Sequence, residues 1–172
     1  MGNRKNYHYF VEGADEKCVI NALKTELQCI VPGKVEEFNV IQNHFPPARI
    51  RALKTGTIVI LVFDTDKGND TVLNSNIEFL KKQYAVKDVI CIPQVKNLEE
   101  ELEYSCNIKN VRELTGSSSI KDFKRDILTC TNVGARLKKC GFSIDKFWSR
   151  NPVDLFENYM NDAAKIKFRM RN

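Results

Sequence analysis

Three carboxylates stand where apolar, strand-like segments of the sequence end. TIVILVFD is almost continuously apolar and β-branched, and it ends on Asp64, with Asp66 two residues further on. The earlier segment YHYFVEG carries Glu12 at its end. Three carboxylates at one edge of a sheet repel one another unless a cation neutralises them, and oxygen-only ligands favour Mg²⁺ or Mn²⁺ over zinc. The pattern therefore predicts a site for one of these hard divalent cations.

These carboxylates meet only if their segments belong to one parallel sheet, and the sequence does alternate between strand and helix patterns. Helices are predicted within DEKCVINALKTEL and TVLNSNIEFLKKQY. TIVILVFD suits a central strand covered on both faces, and DVICIP suits the next buried strand. The order predicts an α/β fold with a parallel, Rossmann-like sheet flanked by helices. Such sheets bind ligands at the carboxyl ends of their strands.

The segment between residues 28 and 56 completes the predicted sheet. QCIVPGK is predicted to be a short strand that ends at its Pro-Gly pair, which would put Lys34 at the edge that carries the carboxylates. VEEFNVIQNHF is predicted to be helical until the following prolines, and ARIRALKTG to be a short helix.

After the second buried strand the patterns are helical only. Asn97 and Ser119 are predicted to cap two of these helices, and the second helix should bury Ile120, Phe123 and Ile127.

Two more short helices, joined near Pro152, are expected further on, and the tail KIKFRMRN is expected to be loose or to act as an electrostatic arm. We therefore predict an α/β domain over residues 1–108 and a basic helical extension over residues 109–172 packed on it.

The extension is the basic part of a chain whose net charge is +5. Between residues 109 and 150 the sequence contains ten lysines and arginines but only four acidic residues. Lys121, Lys124 and Arg125 recur at spacings that put them on one face of a helix. With Lys34 they form the predicted nucleic-acid-binding set, and Lys124 is the preferred catalytic cation. The alternative is a solvated helical surface with no bound polyanion.

The segments YFVEGADEKCVINAL and VILVFDTDKGND together resemble the Toprim domain. This metal-binding module occurs in topoisomerases, bacterial primases, overcoming-lysogenisation-defect nucleases and small ribosomal-RNA maturation nucleases. The resemblance covers the chain as far as the helix in NLEEELEYSC, and it implies a Toprim-like sheet. It also implies that Glu12 is the family's glutamate and that Asp64 and Asp66 are its metal-binding aspartate pair. The zinc-binding and winged-helix extensions of topoisomerases and primases are missing from the sequence, so a small nuclease is the expected class.

By the same resemblance, a further acidic group after the aspartate pair helps to hold a second metal. NLEEELE is similarly placed, and with Leu98 and Leu102 on the inner side, Glu100 is our choice of the one glutamate that reaches the cleft. The alternative is a capping box followed by a solvated helix face. Two metals would clamp a phosphodiester between them.

The sequence is therefore interpreted as a Mg²⁺- or Mn²⁺-dependent nuclease acting on RNA or DNA. Small Toprim nucleases also appear as effectors in bacterial antiphage systems, and by that analogy alone the interpretation extends to a defence or toxin role. The alternative is a non-catalytic Toprim module that binds nucleotide or nucleic acid and acts with a partner protein or as a homo-oligomer. A phosphate-accepting regulator is disfavoured because DVICIPQ offers no lysine at its strand end.

The expected cellular location, and the exclusion of a zinc site, are inferred from sequence patterns that are absent. No apolar stretch reaches the roughly 18 residues of a membrane span, and no cleavable leader pattern follows Met1, so a cytoplasmic protein without membrane contact is expected. The six cysteines include no C-x-x-C pair, so neither a zinc site nor a disulfide framework is indicated.

Overall fold

The computed structural model describes residues 5–169 and contains one four-stranded sheet in that range. Its strands are β1 (Asn6–Val11), β2 (Lys34–Glu37), β3 (Thr57–Asp64) and β4 (Val86–Gln94). All neighbours pair in parallel, in the order β2-β1-β3-β4. This confirms the predicted fold class, an α/β protein with a parallel, Rossmann-like sheet flanked by helices.

Helices and short 3-10 turns connect and follow the strands. The α-helices are α1 (Ala14–Thr25), α2 (Pro47–Arg51), α3 (Thr71–Lys81), α4 (Leu98–Ser105), α5 (Ile120–Thr129) and α6 (Val133–Lys139). The 3-10 turns are Val111–Leu114, Asp154–Phe156 and Ala163–Lys165. Both predicted caps are present, because the side chain of Asn97 accepts from the backbone of Glu100 and that of Ser119 accepts from the backbone of Asp122.

The sheet is covered on both faces, which explains the unbroken apolar run of β3. Ile60 and Val62 face a layer formed by α1, α4, α5 and α6, whereas Leu61 and Phe63 face a layer that contains α2 and α3. All four side chains are fully buried. A parallel strand buried on both faces needs apolar residues at every position rather than at alternate ones.

The segment before β3 differs from its prediction. Gly33 precedes β2 instead of ending a strand, and residues 38–46 are loop and turn where a helix was predicted. A Cβ at Gly33 would lie 2.6 Å from the backbone oxygen of Tyr7, so only glycine lets the chain come this close to β1. The predicted strand around Ile30 is reduced to an isolated antiparallel bridge with Lys167.

The C-terminal segment also differs from its prediction. No pair of α-helices meets near Pro152, because residues 140–153 are loop and turn; Trp148 and Asp154 adopt left-handed backbone angles, with φ of 53° and 57°, that an α-helix does not continue through. Ile120 was expected in the core but is half exposed, whereas Phe123 and Ile127 are fully buried as predicted.

The extension and the α/β part share one core. Phe123, Leu137 and Trp148 belong to the same apolar cluster as Tyr9 and Ile60 of the sheet. The beginning of the tail is not loose as predicted, because Ile166 is buried and its carbonyl accepts from the backbone of Val31; residues 170–172 lie outside the described range. None of the described helices has the length and apolar character needed to cross a membrane.

Candidate functional site

The crevice between the carboxyl ends of β1 and β3 is the place where the chain reverses its direction across the sheet. From β1 the chain crosses to β2 on one side, and from β3 it crosses to β4 on the other. Open α/β sheets bind ligands at such a switch point. Glu12 directly follows β1, and its Oε1 accepts a hydrogen bond from the backbone N–H of Asp64 at 3.3 Å. The Glu12 carboxylate therefore contacts the backbone of Asp64, and both residues line the same cavity.

A cavity of about 310 Å³ opens at this crevice. Four acidic side chains line it, those of Glu12, Asp64, Asp66 and Glu99, together with the ammonium-bearing side chain of Lys124. The other lining residues are Asn39, Ile41, Gln42, Lys67, Gly68 and Asn97. All four residues predicted to be catalytic, Glu12, Asp64, Asp66 and Lys124, thus lie on one cavity.

The carboxylates of the cavity destabilise one another's charge. Burial, followed by the charge of Glu12, raises the pKa of Asp64 to about 8, although a hydrogen bond from Gln94 acts in the opposite direction. Burial also raises the pKa of Glu12, and the charges of Asp66 and Asp15 add to this effect. Buried carboxylates in such proximity favour either protonation or a bound cation.

The turn that carries Asp66 is fixed by the loop after β4. The backbone N–H groups of Thr65 and Asp66 both donate to the carbonyl of Lys96, at 2.9 and 3.2 Å. The amide of Asn97 donates to Asp66 Oδ2 at 3.4 Å. Lys96 adopts a left-handed φ of 62°, a conformation that costs free energy in a non-glycine residue. The two loops therefore hold each other at the mouth of the cavity.

The first turn of α1 carries two further acids, Asp15 and Glu16, and neither was assigned to a site from the sequence. Glu16 is buried, and burial together with the neighbouring Asp15 carboxylate raises its pKa to about 9. Gly13 makes room for these side chains, since a Cβ there would lie 3.0 Å from Asp15 Oδ1 and 3.1 Å from Glu16 Oε2. The signal available in the sequence was the acid four residues after Glu12.

Lys124 reaches the cavity from α5 in the extension. Its Nζ lies 2.9 Å from Glu99 Oε1 and 3.7 Å from Asp15 Oδ2. Partial burial lowers the pKa of Lys124, but the hydrogen bond and charge of Glu99 and the charge of Asp15 outweigh it, so the net pKa is raised. The lysine therefore stays protonated among the acids.

The choice of Glu100 as the glutamate in the cleft is wrong. Glu99 lines the cavity, whereas the carboxylate of Glu100 pairs with Lys96 at 3.1 Å outside the cavity lining. The reason is helix phase: Leu98 and Leu102 are buried, and Glu100 stands about 200° around α4 from Leu98, on the opposite side of the helix.

Lys34 is not at the edge that carries the carboxylates. It begins β2 opposite His8 and lines a separate cavity at the amino-terminal edge of the sheet. The prediction assumed that a strand ended at Gly33, whereas a strand starts at the next residue, Lys34.

Lys121 and Arg125 share α5 with Lys124 but do not line the cavity. Lys121 is exposed, and Arg125 pairs with Asp122 and Asp126 on the outer surface. Of the predicted cations on this helix, one reaches the site.

The donors of the cavity fit a hard divalent cation in kind. The acids that line it offer carboxylate oxygens as ligands. Outside this lining, Asp15 Oδ2 lies 3.7 Å from Lys124 Nζ and is buried without a hydrogen-bond partner in the described part of the chain. Within residues 5–169, however, no three histidine, cysteine, aspartate or glutamate side chains are already gathered as a ligand group. The carboxylates bond instead to the Asp64 backbone, to Gln94 and to Lys124, so their side chains would turn to hold an ion together.

Comparisons with models of known protein families, with curated protein sequences and with solved structures give no match. The site itself is therefore the basis for inferring a function.

Proposed function

We propose that this protein is a nuclease that depends on Mg²⁺ or Mn²⁺ and hydrolyses phosphodiester bonds of RNA or DNA. The observation that carries the proposal is the meeting of Glu12 and Asp64 at the switch point of the sheet, with Asp66, Glu99 and Lys124 on the same cavity. The order of a glutamate after the first strand and an Asp-x-Asp pair after a later one supports a relationship to Toprim nucleases. An antiphage or toxin role extends the proposal by that analogy.

Glu12, Asp64 and Asp66 are the residues that would hold the cation, and Glu99 replaces Glu100 as the candidate for a second one. When bound, a divalent cation supplies Lewis-acid polarisation of a phosphoryl oxygen and a water of lowered pKa. Binding would also offset the burial and the charge of Glu12, which together raise the pKa of Asp64 to about 8. Deprotonation of these carboxylates and occupation by a cation are thus linked.

The chain's own groups would bind and orient the phosphodiester. Lys124 offers a fixed positive charge at the cavity, held by Glu99 and Asp15, where negative charge develops on the phosphate during hydrolysis. Lys67 and the amides of Asn39 and Gln42 line the same cavity and can donate to phosphate oxygens. Both RNA and DNA present these oxygens.

The proposal is tested by incubating end-labelled RNA and DNA with the protein in Mg²⁺, in Mn²⁺ and in a chelator. Asp64→Asn and Glu12→Gln should each lower the cleavage rate about 100-fold or more, because each removes a charge worth several kcal/mol to the reaction. Glu78→Gln, an exposed acid on α3 outside the cavity lining, is the matched control and should retain the rate. Cleavage that survives both site substitutions would remove the proposed site. Binding of nucleic acid without cleavage in either cation would favour the non-catalytic module instead.

A further inference from the structure

Gln94 is an amide that lies beside the candidate site but does not line its cavity. It is the last residue of β4 and pairs in register with Asp64, the last residue of β3. Gln94 is fully buried, with 0% of its surface exposed. Burying an amide is unfavourable unless its donor and its acceptor both find partners.

Both ends of this amide are satisfied, and by side chains from different parts of the chain. Nε2 of Gln94 donates to Asp64 Oδ1 at 2.7 Å, and Oε1 accepts from the indole Nε1 of Trp148 at 3.1 Å. An indole N–H can only donate, so it requires the amide oxygen on its own side. The NH₂ group of Gln94 must then face Asp64, whatever the protonation state of that carboxyl.

Trp148 is itself held at a defined position. It is buried with a left-handed backbone, and its backbone N–H donates to Glu101 Oε2 at 3.1 Å. Glu101 is fully buried and accepts through Oε1 from the backbone of Val95 and from Arg150. The C-terminal segment is thereby attached to the end of β4 and to α4, next to the carboxylates.

We propose that Gln94 is a positioning residue for Asp64, and that Trp148 acts through Gln94 to fix which carboxylate oxygen faces the cavity. Oδ1 of Asp64 is committed to the amide, which leaves Oδ2 for a cation or a substrate. The benefit to cation binding rests on the proposed function, whereas the link from Trp148 to Asp64 does not.

The link is tested by NMR, because Trp148 is the only tryptophan and its indole N–H gives a single resonance. Asp64→Ala removes the acceptor of the Gln94 amide, so it should shift this resonance. Asp70→Asn alters a carboxyl that accepts from Tyr159 and lies outside the link, and it should leave the resonance in place. An indole resonance that responds no more to Asp64→Ala than to Asp70→Asn would overturn the proposal.

Calorimetric titration with MgCl₂ separates positioning from a general role in folding. Gln94→Met keeps the length of the side chain without its donor, and it should weaken Mg²⁺ binding to the folded protein about 10-fold or more. Trp148→Phe, which removes the indole N–H together with part of the buried ring, should weaken binding in the same direction. Gln83→Leu removes an amide that bonds to the backbone of Phe79, so it should leave the Mg²⁺ affinity unchanged.

The outcomes of the two measurements are distinguishable. Wild-type affinity in both Gln94→Met and Trp148→Phe would overturn the positioning role, and if Gln94→Met does not fold, Trp148→Phe decides. If wild-type protein takes up no Mg²⁺, the proposed function fails, and a shift of the indole resonance in Asp64→Ala still supports the link from Trp148 to Asp64.

Discussion

The carboxyl group of Asp64 is held in the folded protein under conditions that favour its protonated form. Burial and the charge of Glu12 raise its pKa to about 8, whereas in the unfolded chain it ionises near its ordinary value, about 4. Between these values the folded state binds more protons than the unfolded state, so stability decreases as the pH rises. This dependence should be strongest when no cation is present.

Asp64→Asn removes the ionisable carboxyl group and keeps a side-chain oxygen that can accept from the Gln94 amide. Relative to the variant, we expect the free energy of unfolding of the wild type to fall by on the order of 4 kcal/mol between about pH 5 and pH 8. Urea unfolding in a chelator at both pH values measures it. Parallel pH profiles for the two proteins would contradict the raised pKa.

Lys124 and Lys121 form a matched pair on α5, because only Lys124 lines the cavity. If the protein is the proposed nuclease, Lys124→Ala should lower the rate of phosphodiester cleavage about 100-fold, since it removes the positive charge that would face the developing phosphate charge. Lys121→Ala should change the rate less than about twofold, as expected for an exposed side chain remote from the reacting atoms. Equal losses in the two variants would indicate a diffuse electrostatic effect rather than a specific cation.

Glu99 and Glu100 provide the same comparison for the acids of α4. Glu99→Gln should weaken Mn²⁺ binding, measured by calorimetric titration, about 10-fold or more, because Glu99 lines the cavity and also holds Lys124. Glu100→Gln should leave the affinity near that of the wild type, since its carboxylate pairs with Lys96. A larger effect of Glu100→Gln would reverse the assignment made from the structure.

At the scale of elements, the sequence predicted the strands and helices whose apolar pattern is long and regular. β1, α1, β3, α3 and β4 were predicted close to their observed bounds, and Glu12 and Asp64 were correctly expected at one sheet edge. The wrong predictions arose where a local sequence pattern is compatible with two different structures. A Pro-Gly pair can precede a strand as well as end one, which misplaced Lys34.

The rest of the site depended on packing that spacing alone does not determine. The phase of α4 selects Glu99 over Glu100, and it follows from which leucines are buried. Gln94 and Trp148 are 54 residues apart and meet only because the C-terminal segment folds back over the end of β4. No local pattern in the sequence predicts such a contact.

The start of β2 offers a prediction about this element alone. Gly33→Ala should lower the free energy of unfolding by about 1–3 kcal/mol, because the added Cβ would lie 2.6 Å from the backbone of Tyr7. The catalytic rate per folded molecule should stay unchanged, because Gly33 lies at the opposite edge of the sheet from the cavity. Chemical unfolding measures the loss, and an unaltered midpoint would contradict the close approach of the two segments.

At the scale of the whole molecule, the extension is part of the candidate site and not only a cover for the sheet. It supplies Lys124 to the cavity and Trp148 to the buried end of β4, and it shares the apolar core with β1 and β3. The α/β part and the extension therefore act together in presenting the carboxylates. Residues from both are needed to account for the electrostatics of the cavity.

On our proposal, Glu12 and Asp64 share a divalent cation at the switch point of the sheet. The most direct test is a crystal structure of the full chain with Mn²⁺, with the ion located by its anomalous scattering. We predict a peak in the cavity within about 2–2.5 Å of carboxylate oxygens of both residues. Crystals saturated with Mn²⁺ that show no peak in the cavity, or a peak bound elsewhere, would contradict a shared cation at Glu12 and Asp64.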